Sequence, residues 1–241
     1  MKSWLRTEDI LAVILGLLIV AMSLCSLAGV NVLGWAVSVK EWADPAKALV
    51  PASSAYAGLT GPGALVATFV FLLVVLSAGA KFLRSDPARF AGRFALLFVV
   101  AFACWVIGHN SYIAATPNRR PPGVGWSLGL TGEAGYLLAL LGGLAIGNLF
   151  PRVATWFKEA ARPELFIKAG IVVYGAVLGA KAAEEAGRTH AILFRGLAAI
   201  IEADLIYWAL VYLIARKVFG FSREWSAPLA SGISICGVTA A

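Results

Sequence analysis

Long apolar segments separated by short charged loops dominate this chain. Residues 10–30 carry no charge, and about 20 apolar residues are enough to cross a hydrocarbon core of roughly 30 Å. Glu8 and Asp9 directly before this segment argue against a cleaved signal peptide, so we predict a retained helix. Further spans are predicted at 64–80, 94–113, 134–150, 163–183 and 191–215. The pattern therefore predicts an all-α, polytopic membrane protein with about six transmembrane helices.

The last stretch, 226–241, is apolar but is built from small residues. It reads SAPLASGISICGVTAA, with Gly232 and Gly237 around Ser234 and Cys236. Because a glycine costs about 1 kcal/mol relative to alanine inside a helix, the stretch favours a seventh segment that breaks or re-enters within the bilayer. A continuous helix that uses its small residues to pack closely against a neighbour is the alternative. Spacing alone leaves both open.

Two longer connections separate the first spans from the rest. Residues 31–63 hold tryptophans among charged residues and prolines, which is typical of a segment at the membrane surface. Residues 116–133 are rich in proline and glycine and cannot be helical throughout. We therefore divide the chain into an N-terminal membrane region, 1–133, with three spans and an interfacial loop, and a second region, 134–241, that ends in the small-residue segment.

Composition supports the membrane interpretation. Of the 241 residues, 60% are hydrophobic and 14% are charged, and the mean hydropathy is +0.84, whereas soluble domains are about 45–50% apolar. The formal charge of +7 comes from Lys and Arg between the spans, which indicates membrane orientation and not a nucleic-acid partner. With the N-terminus in the cytoplasm, thirteen of the twenty basic residues fall on the cytoplasmic side. We therefore expect a multi-pass protein with a cytoplasmic N-terminus.

The sequence lacks the motifs of soluble catalysis. Its three cysteines lie in three separate apolar segments without a C-x-x-C pair, so neither a zinc site nor a disulfide framework is indicated. Nucleotide-binding loops, H-E-x-x-H and G-x-S-x-G are absent from the sequence. We therefore expect no enzyme activity, no catalytic residues, no metal and no cofactor.

Two carboxylates stand inside the sixth predicted span. A charge at the bilayer centre costs at least about 2.5–3.5 kcal/mol, so Glu202 and Asp204 are expected to face protein or water. In an α-helix they point roughly 160–200° apart, which argues against a paired acid–base site. Either residue is a candidate for proton or cation coupling. The alternative is a polar contact with a neighbouring helix or a cap on its end.

Three segments resemble a known family, the YeiH-like sulfate exporters of the bacterial inner membrane. ELFIKAGIVVYGAVLGAK, 164–181, is similar to that family's basic residue followed by a G-I-V-L-L-G-like helix, and LGGLAIGNLFP, 141–151, to its L-G-N-like element. SGISICGVTAA, 231–241, resembles its signature G-T-S-I-C-G-A-S-A-I. The signature differs at Ile233, where the pattern has Thr, and at Val238 and Thr239, where it has Ala and Ser.

This resemblance implies the first half of an inverted-repeat secondary transporter of a small anion such as sulfate. Small residues and the exposed N–H groups of a helix start suit an oxyanion. The substrate-binding residues implied are Ser231, Gly232, Ser234, Cys236, Gly237 and Thr239. Because the chain stops within the signature, we expect half of a longer protein or a fragment, completed by a second half or by a homo-oligomer partner in the bilayer. A membrane assembly subunit and an anion channel are the alternative functions.

Overall fold

The structure is a computed structural model that describes residues 7–158, 160–184 and 189–234. Its helices are α1 (Glu8–Leu24), α2 (Gly61–Phe82), α3 (Pro87–Gly108), α4 (Ser111–Ala114), α5 (Ala134–Leu149), α6 (Pro151–Phe157), α7 (Pro163–Glu184), α8 (Thr189–Ile201), α9 (Trp208–Lys217) and α10 (Arg223–Ser234). Single 3₁₀ turns lie at Cys25–Ala28, Pro45–Lys47, Ser54–Tyr56 and Pro117–Arg119. A π-helix, Glu202–Tyr207, joins α8 to α9. Two short strands, β1 (Val37–Val39) and β2 (Leu49–Pro51), pair antiparallel.

Most of the predicted spans are helices of sufficient length. Among the residues that the structure describes, four stretches are long and apolar enough to cross a membrane: Gly61–Phe82, Pro87–Gly108, Pro163–Lys181 and Phe194–Lys217. They correspond to the second, third, fifth and sixth predicted spans. The first predicted span is α1, which is 17 residues long and runs directly into a 3₁₀ turn. The prediction of an all-α polytopic membrane protein is confirmed.

The fourth predicted span, 134–150, is α5, and the chain then bends into the short helix α6. α5 ends at Leu149, α6 begins at Pro151, and the two helices are bent by 118°. Proline lacks an N–H group and disfavours helical backbone at the residue before it, and Phe150 accordingly has φ −130° and ψ 64°. The chain therefore turns sharply at Phe150, and α6 does not continue the direction of α5.

The chain divides within α7 into two compact units, Met1–Val172 and Val173–Ala241. In the first unit the buried core lies where α1, α3 and α7 begin and α2 ends. Its larger members are Leu11, Leu15, Leu76, Phe90, Phe94 and Leu165. We call this the basic end of the unit because cationic residues gather on these helix ends and on α6. They are Lys81, Arg84, Arg89, Arg93, Arg152, Lys158, Arg162 and Lys168.

The guanidinium of Arg162 links the start of α1 and the turn between α2 and α3 to the residue that precedes α7. Arg162 donates a hydrogen bond to Glu8 Oε1 at 2.6 Å and another to Ser85 Oγ at 2.7 Å, and 18% of its side chain is exposed. Lys168 pairs with Asp9 at 2.6 Å. These bonds hold the start of α1, the turn between α2 and α3 and the start of α7 together.

The opposite end of the first unit is a layer of loops, residues 31–60 and 109–133. Trp42 lies at its centre, where its N–H donates to the His109 carbonyl at 3.1 Å and its carbonyl accepts from the Ser111 N–H at 2.8 Å. The Trp42 indole N–H donates to the Val106 carbonyl at 2.8 Å, and His109 Nδ1 donates to the Trp105 carbonyl at 2.8 Å. Hydrogen bonds therefore connect the loop between α1 and α2 with the end of α3.

In the second unit, α9 and α10 pack against each other and both contact the π-helix. Large apolar side chains remain exposed along its helices, including Phe194 at 74% and Trp225 at 75%. A helix that is apolar on all sides is typical of a membrane environment or of a protein interior. The composition of this unit therefore agrees with the predicted membrane location.

Gly108→Ala should destabilise the first unit. A Cβ at Gly108 would lie 2.2 Å from the backbone nitrogen of Gly135, so α3 and α5 would have to separate. Overpacking of this kind costs about 1–3 kcal/mol, which corresponds to a fall in Tm of roughly 2–10 °C for a chain of this size. Thermal unfolding in detergent measures the change.

Gly142→Ala is the matched control on α5. Nothing lies within 4 Å of a Cβ at Gly142, so this change should be neutral or slightly stabilising. Equal Tm values for the two variants would contradict the close approach of α3 and α5.

Candidate functional site

The described residues of the predicted site lie on the α9–α10 hairpin. In the turn, Gly220 has a left-handed φ of +67°, which favours glycine. Arg216 Nη1 donates to the Phe221 carbonyl at 2.8 Å, and the Phe221 N–H donates to the Ala215 carbonyl at 3.0 Å. The turn is therefore fixed to the end of α9, and this places the start of α10.

The first half of α10 contains two features that favour a bend. Pro228 has no N–H group to donate to the Glu224 carbonyl four residues earlier. Ser226 is fully buried, and its hydroxyl donates to the Ser222 carbonyl at 2.7 Å, which is a contact that often bends helices. The sequence analysis gave Pro228 no role, although a proline four residues before a glycine was a visible signal.

The carboxylate of Glu224 lies in the first turn of α10, at the end where the helix dipole is positive. The pKa of Glu224 is lowered because its own backbone N–H and then the Ser222 hydroxyl donate hydrogen bonds to the carboxylate. A negative charge in the first turn of a helix also offsets the helix dipole. The start of α10 is consequently a poor place for a second anion.

Ser231 and Ser234 lie three residues apart on α10, which places them on one face of the helix. The Trp208 indole N–H donates to Ser231 Oγ at 3.0 Å, so the Ser231 hydroxyl accepts in this bond, and no described residue accepts its own hydrogen. The Ser234 hydroxyl uses its hydrogen on the Ala230 carbonyl at 2.6 Å. Of these two hydroxyls, Ser231 is therefore the better donor to an anion.

The structure places half of the predicted substrate-binding residues. Ser231, Gly232 and Ser234 lie in the last described turn of α10, and all three are half-buried. Cys236, Gly237 and Thr239 lie outside the described residues. Trp208 was missed by the sequence analysis, since a contact across 23 residues has no local signal in the sequence.

Glu202 and Asp204 lie in the π-helix, inside the candidate span Phe194–Lys217. Because a π-helix is wider than an α-helix, the angle expected from α-helical spacing does not apply to them. Both side chains are exposed, and the described residues supply neither carboxylate with a hydrogen bond or an ion pair. π-helical turns are rare and occur frequently at functional sites.

Elsewhere, the described residues form grooves but no cluster of metal-ligating side chains. The groove between α3 and the α5–α6 pair has a volume of about 310 Å³ and is lined by apolar and small residues such as Val100, Cys104, Gly143 and Phe157. Within residues 7–158, 160–184 and 189–234, no three His, Cys, Asp or Glu side chains come together to hold a metal ion. The α9–α10 hairpin therefore remains the candidate site.

The α9–α10 hairpin lies within a stretch of the chain that is similar to a known protein family. Residues 129–241 match a family described as "Conserved hypothetical protein 698". The chain is also 36% identical over 239 residues to UPF0324 membrane protein NE0724 of Nitrosomonas europaea. The chain is therefore similar to a UPF0324 membrane protein. No solved structure matches the chain significantly.

The alignment with the Nitrosomonas protein covers 98% of this chain and 49% of the relative. The chain therefore spans about half the length of this relative. The similarity also includes the N-terminal region, where the sequence analysis recognised only a general membrane pattern. Together with the candidate spans, the relative's description supports a membrane location for this polytopic protein.

Trp208→Phe should weaken the hairpin. The variant keeps a ring that can stack on Tyr212, whose centroid lies 5.2 Å away, but it loses the donor to Ser231. A hydrogen bond contributes about 0.5–1.5 kcal/mol net, so we expect a fall in Tm of roughly 1–5 °C. Trp225→Phe on the exposed side of α10 is the control and should leave Tm unchanged.

A double-mutant cycle tests the contact directly. Trp208→Phe and Ser231→Ala remove the two partners of one bond, so their effects on Tm should be less than additive. Fully additive effects would show that the two side chains do not interact.

Proposed function

We propose that the protein forms part of a secondary transporter that exports a small anion, such as sulfate, across the bacterial inner membrane. The observation that carries this proposal is the hydrogen bond from the Trp208 indole to the Ser231 hydroxyl, which stands at the start of the small-residue signature. Because no described residue accepts the hydroxyl's own hydrogen, it can donate to an anion. Fixed O–H and N–H donors beside small residues suit an oxyanion, which needs several donors and room to approach the backbone. The resemblance to the YeiH-like family suggests sulfate or a chemical relative of sulfate as the solute.

We propose that the anion binds within the signature 231–241, where Cys236, Gly237 and Thr239 would add small side chains and N–H groups to the Ser231 hydroxyl. Glu224 argues against an anion at the start of α10.

Coupling to a proton or cation is assigned in this proposal to the π-helix. Exposed carboxylates are costly in a bilayer, so Glu202 and Asp204 need a water-filled cavity or partner groups from further protein. Further protein, such as a counterpart of the half of the Nitrosomonas relative that lies outside the alignment, or another copy of the chain, would supply these groups. The N-terminus is proposed to lie in the cytoplasm, because the basic end would then face the same side.

An assembly or interaction subunit is the second candidate function. The observation in its favour is the open glycines of α7, since nothing lies within 4 Å of a Cβ at Gly170, Gly175 or Gly179. Small residues at this spacing allow another helix to approach closely. Saturable anion binding would favour the transporter, whereas an anion channel would conduct without coupling.

Thermal shift with an anion panel tests the transporter proposal. Sulfate, sulfite, a sulfonate, bicarbonate and chloride would be added to the purified protein in detergent, with sucrose as the neutral control. A ligand at 100 times its Kd stabilises by about 2.7 kcal/mol, so one oxyanion class should raise Tm in a saturable way. Sulfate also stabilises proteins generally by exclusion from their surface, and that effect does not saturate.

Two serine variants separate binding from general stabilisation. Ser231→Ala removes the available donor and should raise the apparent Kd about tenfold, while Ser234→Ala removes a hydroxyl that is bonded to Ala230 and should have a smaller effect. Ser23→Leu on the exposed side of α1 is a control outside the hairpin. Identical, non-saturating shifts in all variants would contradict an anion site at Ser231.

Neutralising the π-helix carboxylates tests the coupling role. In proteoliposomes, anion flux should respond to a pH gradient or a sodium gradient. If Glu202 is the coupling residue, Glu202→Gln should abolish this response, and if Asp204 is, Asp204→Asn should do so. Neither substitution should change anion binding, which is measured by thermal shift. A response that survives the double variant would exclude both residues from coupling.

A further inference from the structure

The turn between α9 and α10 exposes large apolar side chains. We call residues 216–226 the hairpin tip. Four of its side chains are 43–75% exposed: Val218, Phe219, Phe221 and Trp225. The rings of Phe219 and Phe221 stack on each other with their centroids 5.9 Å apart. The described residues thus leave a compact apolar surface uncovered, and its contact with water is unfavourable.

Backbone hydrogen bonds fix the conformation in which these side chains are presented. The Phe219 N–H donates to the Ile214 carbonyl at 3.2 Å, and the Ser226 N–H donates to the Ser222 carbonyl at 2.9 Å. Helical hydrogen bonding therefore continues close to the turn on both sides of Gly220, whose left-handed φ reverses the chain. The apolar surface belongs to an ordered turn.

Two cations flank this surface. Lys217 is the last residue of α9 and Arg223 is the first residue of α10. Both side chains are exposed, and the described residues supply neither with an ion pair or a side-chain hydrogen bond. Arg216, by contrast, donates to the Phe221 carbonyl, and its charge adds to the hydrogen bonds that lower the pKa of Glu224. With three cations and one carboxylate, the tip has a net charge of +2.

The tip lies where a candidate membrane span ends. That span is Phe194–Lys217, and the packing of α10 against α9 returns the chain beside it. Leu213 and Ile214, in the last turns of the span, are also exposed, so the apolar surface of the span continues into the tip. Tryptophan and basic side chains at the end of a span are typical of the level of the lipid headgroups.

We propose that the hairpin tip docks into the headgroup layer of the bilayer and binds acidic phospholipids there. Its aromatic side chains enter between lipid molecules, while Lys217 and Arg223 contact the phosphate groups. Glu224 already satisfies the positive end of α10, so these contacts are made by the two side chains and not by the helix end.

Charge complementarity selects the lipid. A net charge of +2 favours a headgroup with net negative charge over a zwitterionic one. A free phosphate ion would leave the aromatic side chains in water, whereas a lipid covers them. Docking would fix the start of α10 at the membrane surface, and this inference does not depend on the proposed transport activity.

Quenching of Trp225 fluorescence by brominated lipids tests the docking. The full chain would be reconstituted in phosphatidylcholine bilayers that contain increasing fractions of phosphatidylglycerol or phosphatidylcholine brominated near the headgroup. Subtracting the signal of Trp225→Phe isolates the contribution of Trp225. Half-quenching should need an about 25-fold lower fraction of brominated phosphatidylglycerol, because each basic residue near an anionic surface contributes about fivefold.

Charge variants assign this preference to the two cations. Lys217→Gln and Arg223→Gln should each reduce the preference to about fivefold, and the double variant should bind both lipids about equally. The matched control is the double variant Lys40→Gln and Lys47→Gln, which removes two exposed cations from the loop layer of the first unit. It should leave the titration of Trp225 unchanged.

Three outcomes would overturn the proposal. Absence of Trp225 quenching would show that the tip faces water or another protein. Equal quenching by the two lipids would show that charge does not select the occupant, and a preference that persists in the Lys217 and Arg223 double variant would assign it to other residues. The first two outcomes need only the wild type and Trp225→Phe, so they do not depend on the folding of the charge variants.

Discussion

The guanidinium of Arg162 is the interaction on which the first unit depends. A charged group with 18% exposure is stabilised only when its donors are satisfied, and here Glu8 and Ser85 accept from it at 2.6 and 2.7 Å. The partners lie 154 and 77 residues away along the chain, so the bonds form only when α1, the turn after α2 and the start of α7 are together. The apolar core of the basic end surrounds the same helix ends and is held by the same arrangement.

Close contacts at glycines also hold the helices of the first unit together. A Cβ at Gly16 would lie 2.6 Å from the Val172 Cβ, and one at Gly108 would lie 2.2 Å from the Gly135 nitrogen. In a bilayer, helices associate largely through such close contacts, because lipid tails are as apolar as the side chains they replace. By contrast, no described residue lies within 4 Å of a Cβ at the glycines of α7 or of the second half of α5. These glycines leave room for another helix to approach.

Hydrophobic length predicted the long helices because a bilayer requires long apolar segments. Gly61–Phe82 and Phe194–Lys217 lie within three residues of the predicted bounds, whereas Pro87–Gly108 begins seven residues before the predicted span 94–113 and ends five residues before it. The sequence also contained the reason for the bend at Phe150, since Pro151 restricts the residue before it, and the predicted span accordingly ended at residue 150. The π-helix had no comparable signal, because one extra residue in a helical turn leaves composition and periodicity nearly unchanged.

The location proposed for the site came from the sequence, whereas the partners of its hydroxyls came from the fold. Small residues singled out 226–241, which includes most of α10, and family resemblance suggested a solute class. Which hydroxyl donates, however, depends on Trp208 and Ala230, and only the fold brings an indole from 23 residues away to Ser231. Glu202 and Asp204 were correctly noticed as unusual in a span, while their exposure depends on the helices packed around them.

The contacts of Trp42 restrict how the first unit can move. Its backbone and indole together make three hydrogen bonds, to His109, Ser111 and Val106, that tie the α1–α2 connection to the end of α3. Separating this connection from the end of α3 would have to break all three, and at the other end the bond between Arg162 and Ser85 holds the turn that follows α2. The first unit is thus fixed by hydrogen bonds at both ends of α3, so the α1–α2 connection and the end of α3 are expected to move as one body.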